Sequence, residues 1–285
     1  MGTSQMRLAI RFLRICACFL LVCAAASTAI LPQAEAEGSS QVLVPTPSNN
    51  KKATFTSEGV TIDYGNMAQG YVMIKHAQTD TGLKVRITMG NTEYTYDLNG
   101  RNEFEVFPLQ LGNGQYNVQV FSRVEGNYYA LVAEKSITVV LVDPNIIYLY
   151  PSQYVNYTAD SKIVAKSNEL CAGLETDREK VKAIYAYCSR SIQFDYIFAT
   201  KPKSGYLPDI DSVLDNRKGI CFDYAALMAG MLRAQGIPTK LVIGYADKSY
   251  HAWNNVLLDG KWYRFDATFA SVSMTAQTYR EERYY

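Results

Sequence analysis

Three residues in the C-terminal part of the chain have types and spacing suited to nucleophilic chemistry: Cys221, His251 and Asp266. Lys218-Gly219-Ile220 leads directly into Cys221, and the residues after it read as a helix that stops at Gly236, with Pro238 behind. A helix start presents unpaired amides and a partial positive charge. Those features favour the thiolate form of a cysteine and can hold an oxyanion on an attacked carbonyl. Gly219 is expected to let the backbone pass close to a substrate. Taken alone, a cysteine at a helix start is more often buried and inert. The chain has 2 His, and only His251 lies in the same half as Cys221. His76 falls in a strand-like run and reads as structural or solvated.

Asp266 is tied to His251 by a hairpin argument. Asp259-Gly260 is a strong two-residue turn signal. It sets Leu258 opposite Lys261 and, counting back, Trp253 opposite Asp266. His251 and Trp253 share a face because strand side chains alternate. Asp266 then lies on that face, diagonal to His251 and within reach. A three-residue loop would slip the register and turn Asp266 to the other face. With the register held, the three residues form a nucleophile, a base and a group that orients the base.

The elements around these residues divide the chain in two. Residues 53–143 read as all-β. Runs rich in Val, Ile, Thr and Tyr recur at 60–64, 71–76, 83–89, 92–98, 103–109, 116–124 and 136–142, separated by turn signals such as Asp80-Thr81-Gly82 and Gly112-Asn113-Gly114. Seven or eight such strands predict a small antiparallel sandwich, immunoglobulin-like in outline. Asp143-Pro144 breaks the pattern. Residues 144–285 read as helices and strands in α+β fashion: a helix over about 158–171, a second opened by the capping box Thr176–Glu179, and the helix at Cys221. Strands follow at 240–245, 250–258 and 261–269. Residues 192–218 carry Pro202, Gly205 and Pro208 and read as a long irregular stretch, a class often functional. Trp253 and Trp262 are expected to pack the sheet around the site, and the 22 Tyr to serve strand packing first.

The first 36 residues differ from the rest. Arg7, Arg11 and Arg14 precede an uncharged run from Ile15 to Leu31, and Ala34-Glu35-Ala36 offers small residues for cleavage. This reads as a secretory signal peptide. An uncleaved membrane anchor is the rival reading, and a lipoprotein reading through Cys23 is disfavoured by bulky Val22. Residues 37–52 read as a polar linker. Without residues 1–36 the chain loses three Arg and one Glu, leaving 25 basic and 26 acidic residues. That balance offers no nucleic acid and no anionic membrane surface as partner. The expected location is secreted or cell-surface. Cys171, Cys188 and Cys221 then remain, an odd count that leaves at least one free thiol. Cys171 and Cys188 are read as core thiols rather than a disulfide, because about three helical turns separate them. No metal-binding motif is legible, and no cofactor is expected.

Several motifs together resemble the transglutaminase-like superfamily, whose core is papain-related. They are Lys218-Gly219-Ile220-Cys221-Phe222-Asp223-Tyr224-Ala225, Leu232-Arg233-Ala234-Gln235-Gly236-Ile237-Pro238, Gly244-Tyr245, His251-Ala252-Trp253-Asn254 and Trp262-Tyr263-Arg264-Phe265-Asp266-Ala267-Thr268. The likeness covers roughly 155–270. It implies a helix-borne nucleophilic Cys packed on an antiparallel sheet that carries the His and Asp, roles that fall on Cys221, His251 and Asp266. Ala267 departs from the family, where Pro often follows the Asp; only strand geometry is expected to change. The family often places a further side chain near the oxyanion, upstream of the Cys, for which Tyr196 and Gln193 are candidates. The resemblance implies acyl chemistry on an amide. The sequence leans to peptide or amide hydrolysis, since no acceptor-amine site is legible. A protein-glutamine transglutaminase, a non-catalytic binding module and a structural surface protein are the alternatives. The expected partner is a peptide or protein substrate, cell-wall peptide included.

Overall fold

The computed structural model describes residues 42–77, 82–99 and 101–285. The predicted signal segment and its rival readings lie outside the described residues. Residues 39–285 form one compact unit. None of the described helices is long and apolar enough to cross a membrane.

The N-terminal half is built from eight strands among the described residues. They are β1 (Thr54–Ser57), β2 (Val60–Asp63), β3 (Tyr71–His76), β4 (Leu83–Met89), β5 (Thr92–Leu98), β6 (Glu105–Pro108), β7 (Gly114–Glu125) and β8 (Tyr128–Val139). They form two four-stranded antiparallel sheets, ordered β1-β2-β3-β6 and β5-β4-β7-β8. Alternation is visible in β4, where Leu83, Val85 and Ile87 are buried and Lys84 and Arg86 are not. Inward residues of both sheets, such as Ile62, Ile74, Val85 and Val118, enter one core. Tyr116, near the start of β7, is buried and donates its hydroxyl to the carbonyls of Leu109 and Gly112. Part of the segment read as a linker is tied down as well: the Asp63 carboxylate accepts from Ser48 N and Ser48 Oγ.

The C-terminal half begins with helices α1 (Lys162–Cys171) and α2 (Asp177–Ser191). α1 starts later than the pattern predicted, because Thr158–Ser161 forms a turn in which Thr158 N donates to Ser161 Oγ. α2 opens on the expected capping box. The stretch 192–218, expected to be irregular, holds four short elements: β9 (Gln193–Phe194), α3 (Tyr196–Thr200), α4 (Ile210–Asn216) and β10 (Lys218–Gly219). Asp195 and Asp209 cap α3 and α4 through side chains that accept first-turn amides. Helix α5 (Cys221–Ala234) follows, almost wholly buried. The sheet ordered β13-β12-β11-β14 packs on it, with β11 (Thr239–Ala246), β12 (Ser249–Leu258), β13 (Lys261–Phe265) and β14 (Tyr279–Tyr284). The strand predicted over 261–269 is corrected. It ends at Phe265, and helix α6 (Ala267–Ser271) begins with Asp266 as its N-cap, accepting from Phe269 N at 2.9 Å. Ala267 is thus the first residue of a helix, a position that also suits Pro.

Tyrosines join the halves. Tyr94 and Tyr96 of β5 meet Tyr285 edge-on, and Tyr285 stacks on Tyr154 of the connecting segment at 3.7 Å between centroids. Four of the 22 tyrosines therefore serve this seam. Arg233, 2% exposed, donates to the carbonyls of Tyr150, Thr239 and Tyr285, so one buried guanidinium fastens the connecting segment, β11 and the last residue to α5. Burial pulls its pKa down to about 10, which still leaves it charged at neutral pH. Cys171 and Cys188 are free and buried, as expected.

Candidate active site

The start of α5 is held from four sides. β10 pairs with β9 in parallel register, Gly219 with Phe194, and Asp195 N donates to the Gly219 carbonyl. Ile220 N donates to the Asp223 carboxylate at 2.7 Å, so an acid in the first turn satisfies the amide ahead of the helix. Tyr224 donates its hydroxyl to the Ile192 carbonyl, and Asn254 Nδ2 on β12 donates to the Ala225 carbonyl. Gly219 has a different reason from the one expected: a Cβ there would lie 2.5 Å from the Cβ of Asp223. Glycine is needed so that the backbone can close over that capping carboxylate.

On the sheet, the Asp259-Gly260 turn sets Leu258 opposite Lys261, and the register runs to Asn254 opposite Phe265. Asp266 follows directly as the N-cap of α6. His251 Nε2 lies 2.8 Å from Asp266 Oδ2. The other Asp266 oxygen accepts from Phe269 N, and Oδ2 also accepts from the Tyr279 hydroxyl at 2.9 Å. Three donors thus fix the carboxylate. The His251 ring stacks on Phe269 at 4.3 Å and near Trp253 at 6.3 Å. Gly244, across β11 from His251, sits beside a bulge where β14 crosses; a Cβ there would meet the Arg280 carbonyl at 2.1 Å.

His251 is 5% exposed, the Asp266 side chain 9%, and Cys221 is half-buried. The base and its anchor are sheltered while the sulfur stays reachable. Burial works against a charged imidazole at His251. Hydrogen bonds to Asp266 and Cys221 outweigh it and raise the pKa from 6.5 to about 9. Nε2 is engaged by the carboxylate. His251 is therefore held as the imidazolium beside the carboxylate at neutral pH.

These residues border a cleft of about 870 Å³. It is lined chiefly by aromatic and aliphatic side chains, Phe194, Tyr206, Phe222, Tyr250 and Phe269 among them. Of the two oxyanion candidates, Tyr196 stands exposed at the cleft, while Gln193 borders a neighbouring depression with Ser191 and Val272 instead. The first-turn amides of α5, at Cys221 and Phe222, lack intrahelical acceptors and are the donors closest in sequence to the sulfur. Among the described residues, no cluster of His, Cys, Asp and Glu could hold a metal ion.

Sequence reasoning missed three side chains that shape the site. Tyr279 was invisible because an irregular segment separates it from Asp266. Asp223, two residues after the cysteine, had a signal: an acid in the first turn of a helix is a common capping partner. Tyr206 donates to Asp223 Oδ1 at 2.5 Å and pins the 201–208 segment against the helix start. Burial raises the pKa of both groups.

Comparison with known proteins agrees with the residue pattern. A family model described as "Transglutaminase-like superfamily" matches residues 164–267, a span that holds Cys221, His251 and Asp266. A human protein named kyphoscoliosis peptidase is 31% identical over 136 residues, covering 43% of this chain and 20% of its own length. A Pseudomonas aeruginosa protein-glutamine gamma-glutamyltransferase is 37% identical over 73 residues, covering 25% of this chain and 10% of its own length. The chain thus spans a fifth or less of the length of these curated relatives. The periplasmic domain of TgpA from Pseudomonas aeruginosa superposes with a TM-score of 0.37 at 15% identity, over 76% of this chain and 94% of that one. Residues 164–267 of this chain are thus similar to the core described by the transglutaminase-like superfamily model.

Proposed function

We propose that the protein is an exported cysteine-dependent enzyme that transfers acyl groups from amide or peptide bonds, with water as the final acceptor. The observation that carries this reading is the 2.8 Å contact between His251 and Asp266, at a cleft that Cys221 also lines. Cys221 attacks the amide carbonyl, and the imidazolium of His251 protonates the departing amine. Neutral His251 then takes a proton from water as it attacks the thioester. Asp266 keeps the ring oriented with one nitrogen toward the sulfur.

Hydrolysis and transfer to an amine share every step up to the acyl-enzyme. The named relatives include both a peptidase and a gamma-glutamyltransferase. Transglutaminase activity is therefore the second reading, favoured by the latter name. Incubating the protein with a glutamine peptide and a tagged primary amine separates them, with Cys221→Ala as control. Cleaved peptide or released ammonia without amine incorporation supports the hydrolase; incorporation of the tag supports the transferase. No Cys221-dependent product of either kind, across a panel of peptides, rejects both.

For the N-terminal half, the proposal is an immunoglobulin-like sandwich that spaces or positions the catalytic half. Two features support it: the order β1-β2-β3-β6 against β5-β4-β7-β8, and the Tyr116 hydroxyl bonded back to Leu109 and Gly112 at the entry to β7, in the manner of a tyrosine corner. Export to the cell surface, with peptides or proteins there as substrates, rests on the charge and hydrophobic pattern of residues 1–36.

A further inference from the structure

The walls of the cleft carry a charge pattern that the proposed chemistry does not use. Phe222, next to Cys221, meets Tyr154 at 5.9 Å on one side and Tyr206 at 6.4 Å on the other. Tyr250 and Tyr285 each lie within the fields of Tyr154 and Arg283, and Tyr250 also within that of Glu282. Tyr206 belongs to the segment that also brings Phe194, Tyr196 and Lys203 to the cleft. Aromatic side chains from two segments therefore border the cleft beside the nucleophile, and Lys203 and Arg283 line the same cleft.

Lys203 and Arg283 are both exposed. Neither has a carboxylate partner among the described residues. Arg283 donates only to the Glu93 carbonyl and lies over Tyr94. No Asp or Glu lines the cleft. Acids close by are committed elsewhere: Glu282 to Arg280, Asp195 to Lys218, and Asp223 is buried beneath Tyr206. A peptide lying across Cys221 passes unpaired positive charge on both sides of its reacting amide, with aromatic surface between.

We propose that the cleft selects acidic peptides: an extended chain with an aromatic or large apolar side chain near the reacting amide and a carboxylate on each side of it. This rests on reading the cleft as the site of peptide acyl chemistry. Exposed ion pairs are weak, so each carboxylate is expected to improve affinity about threefold, and the gain falls as salt rises.

The test uses the full chain with Cys221→Ala, so that binding is measured apart from turnover. Dye-labelled heptapeptides with a central Phe, flanked on both sides by Glu, Gln or Lys, are titrated by fluorescence anisotropy. The Glu peptide is expected to bind tightest, the Lys peptide weakest, and the preference to shrink at high salt. Lys203→Gln and, separately, Arg283→Gln should each lower the Glu-over-Gln preference about threefold. Equal affinity for the Glu and Gln peptides, or no measurable binding of any, overturns the proposal. Turnover by the unmutated protein is read in parallel. Charge-selective binding without Cys221-dependent product leaves the selectivity standing and removes the enzyme; product without charge preference does the reverse.

Discussion

Two helices of this protein each carry a cysteine, and they put it to opposite uses. Cys188 sits inside α2, with none of its surface exposed, and burial pushes its thiol up to about 12. Cys221 sits at the first position of α5, half-exposed at the cleft that His251 also lines. The two histidines make a similar pair. His76 is buried in a strand of the β half, whereas His251 is clamped by a carboxylate and raised to about 9. Residue type therefore decides little in this chain. The end of an element, where backbone donors lie free, supplies what its interior lacks.

The largest effect should come from removing the exposed member of the cysteine pair. Cys221→Ala should lower turnover by about 10⁴-fold or more, the scale seen when a nucleophile is lost from such a unit. Cys188→Ala should leave turnover nearly unchanged and cost about 1 kcal/mol of stability in denaturant unfolding. Comparable loss of activity in both variants would erase the contrast.

Asp266→Asn comes next, with a loss on the order of 10³–10⁴-fold, since the ring would no longer be held in one tautomer. Its pH signature has a definite sign. His251 is raised to about 9 partly by Asp266, so the alkaline limb of kcat/KM should lie near 9 and move down in this variant. Stability follows the same linkage. The folded value exceeds the ordinary 6.5, so the stabilisation is complete below about pH 6.5 and lost as pH rises through about 9. Denaturant midpoints measured from pH 6 to 10 check this, and the variant should show a flatter profile.

Tyr279→Phe should have a smaller effect, about tenfold in kcat/KM, from one lost hydrogen bond to a charged group. Here the sign of the pH shift separates orientation from packing. Without the tyrosine, Asp266 Oδ2 belongs to His251 alone, so the alkaline limb should move up. A purely structural tyrosine would lower activity and leave the limb where it was.

The smallest effect concerns the helix start. Tyr206→Phe removes the donor to Asp223 and should lower kcat/KM a few-fold, with KM carrying most of the change because the 201–208 segment lines the cleft. Steady-state kinetics on one peptide substrate suffices.

What the sequence made legible follows from how local each constraint is. The pairing of Asp266 with His251 could be read because Asp259-Gly260 admits few turn geometries, and the residues of β13 up to Phe265 inherit their register from that turn. Cys221 could be placed because glycine, a helix pattern and a terminal Gly-Ile-Pro bracket it. The error at 261–269 came from alternation that continues past the point where Asp266 takes up capping: Asp is a strong N-cap, yet the Trp-Tyr-Arg-Phe run before it reads as strand. Residues 192–218 looked irregular because their elements are too short for periodicity to show, the longest being Ile210–Asn216. Tyr279 and the tyrosine seam depend on contacts between distant segments, which no local pattern records.

The central claim is that His251 couples to Cys221. Alkylation of the intact folded chain with iodoacetamide at neutral pH, followed by peptide mass spectrometry, addresses it directly. Cys221 should react far faster than Cys171 or Cys188, and His251→Ala should slow that reaction while the folded structure persists by circular dichroism. Equal, slow labelling of all three cysteines, or a Cys221 rate indifferent to His251→Ala, would contradict the account.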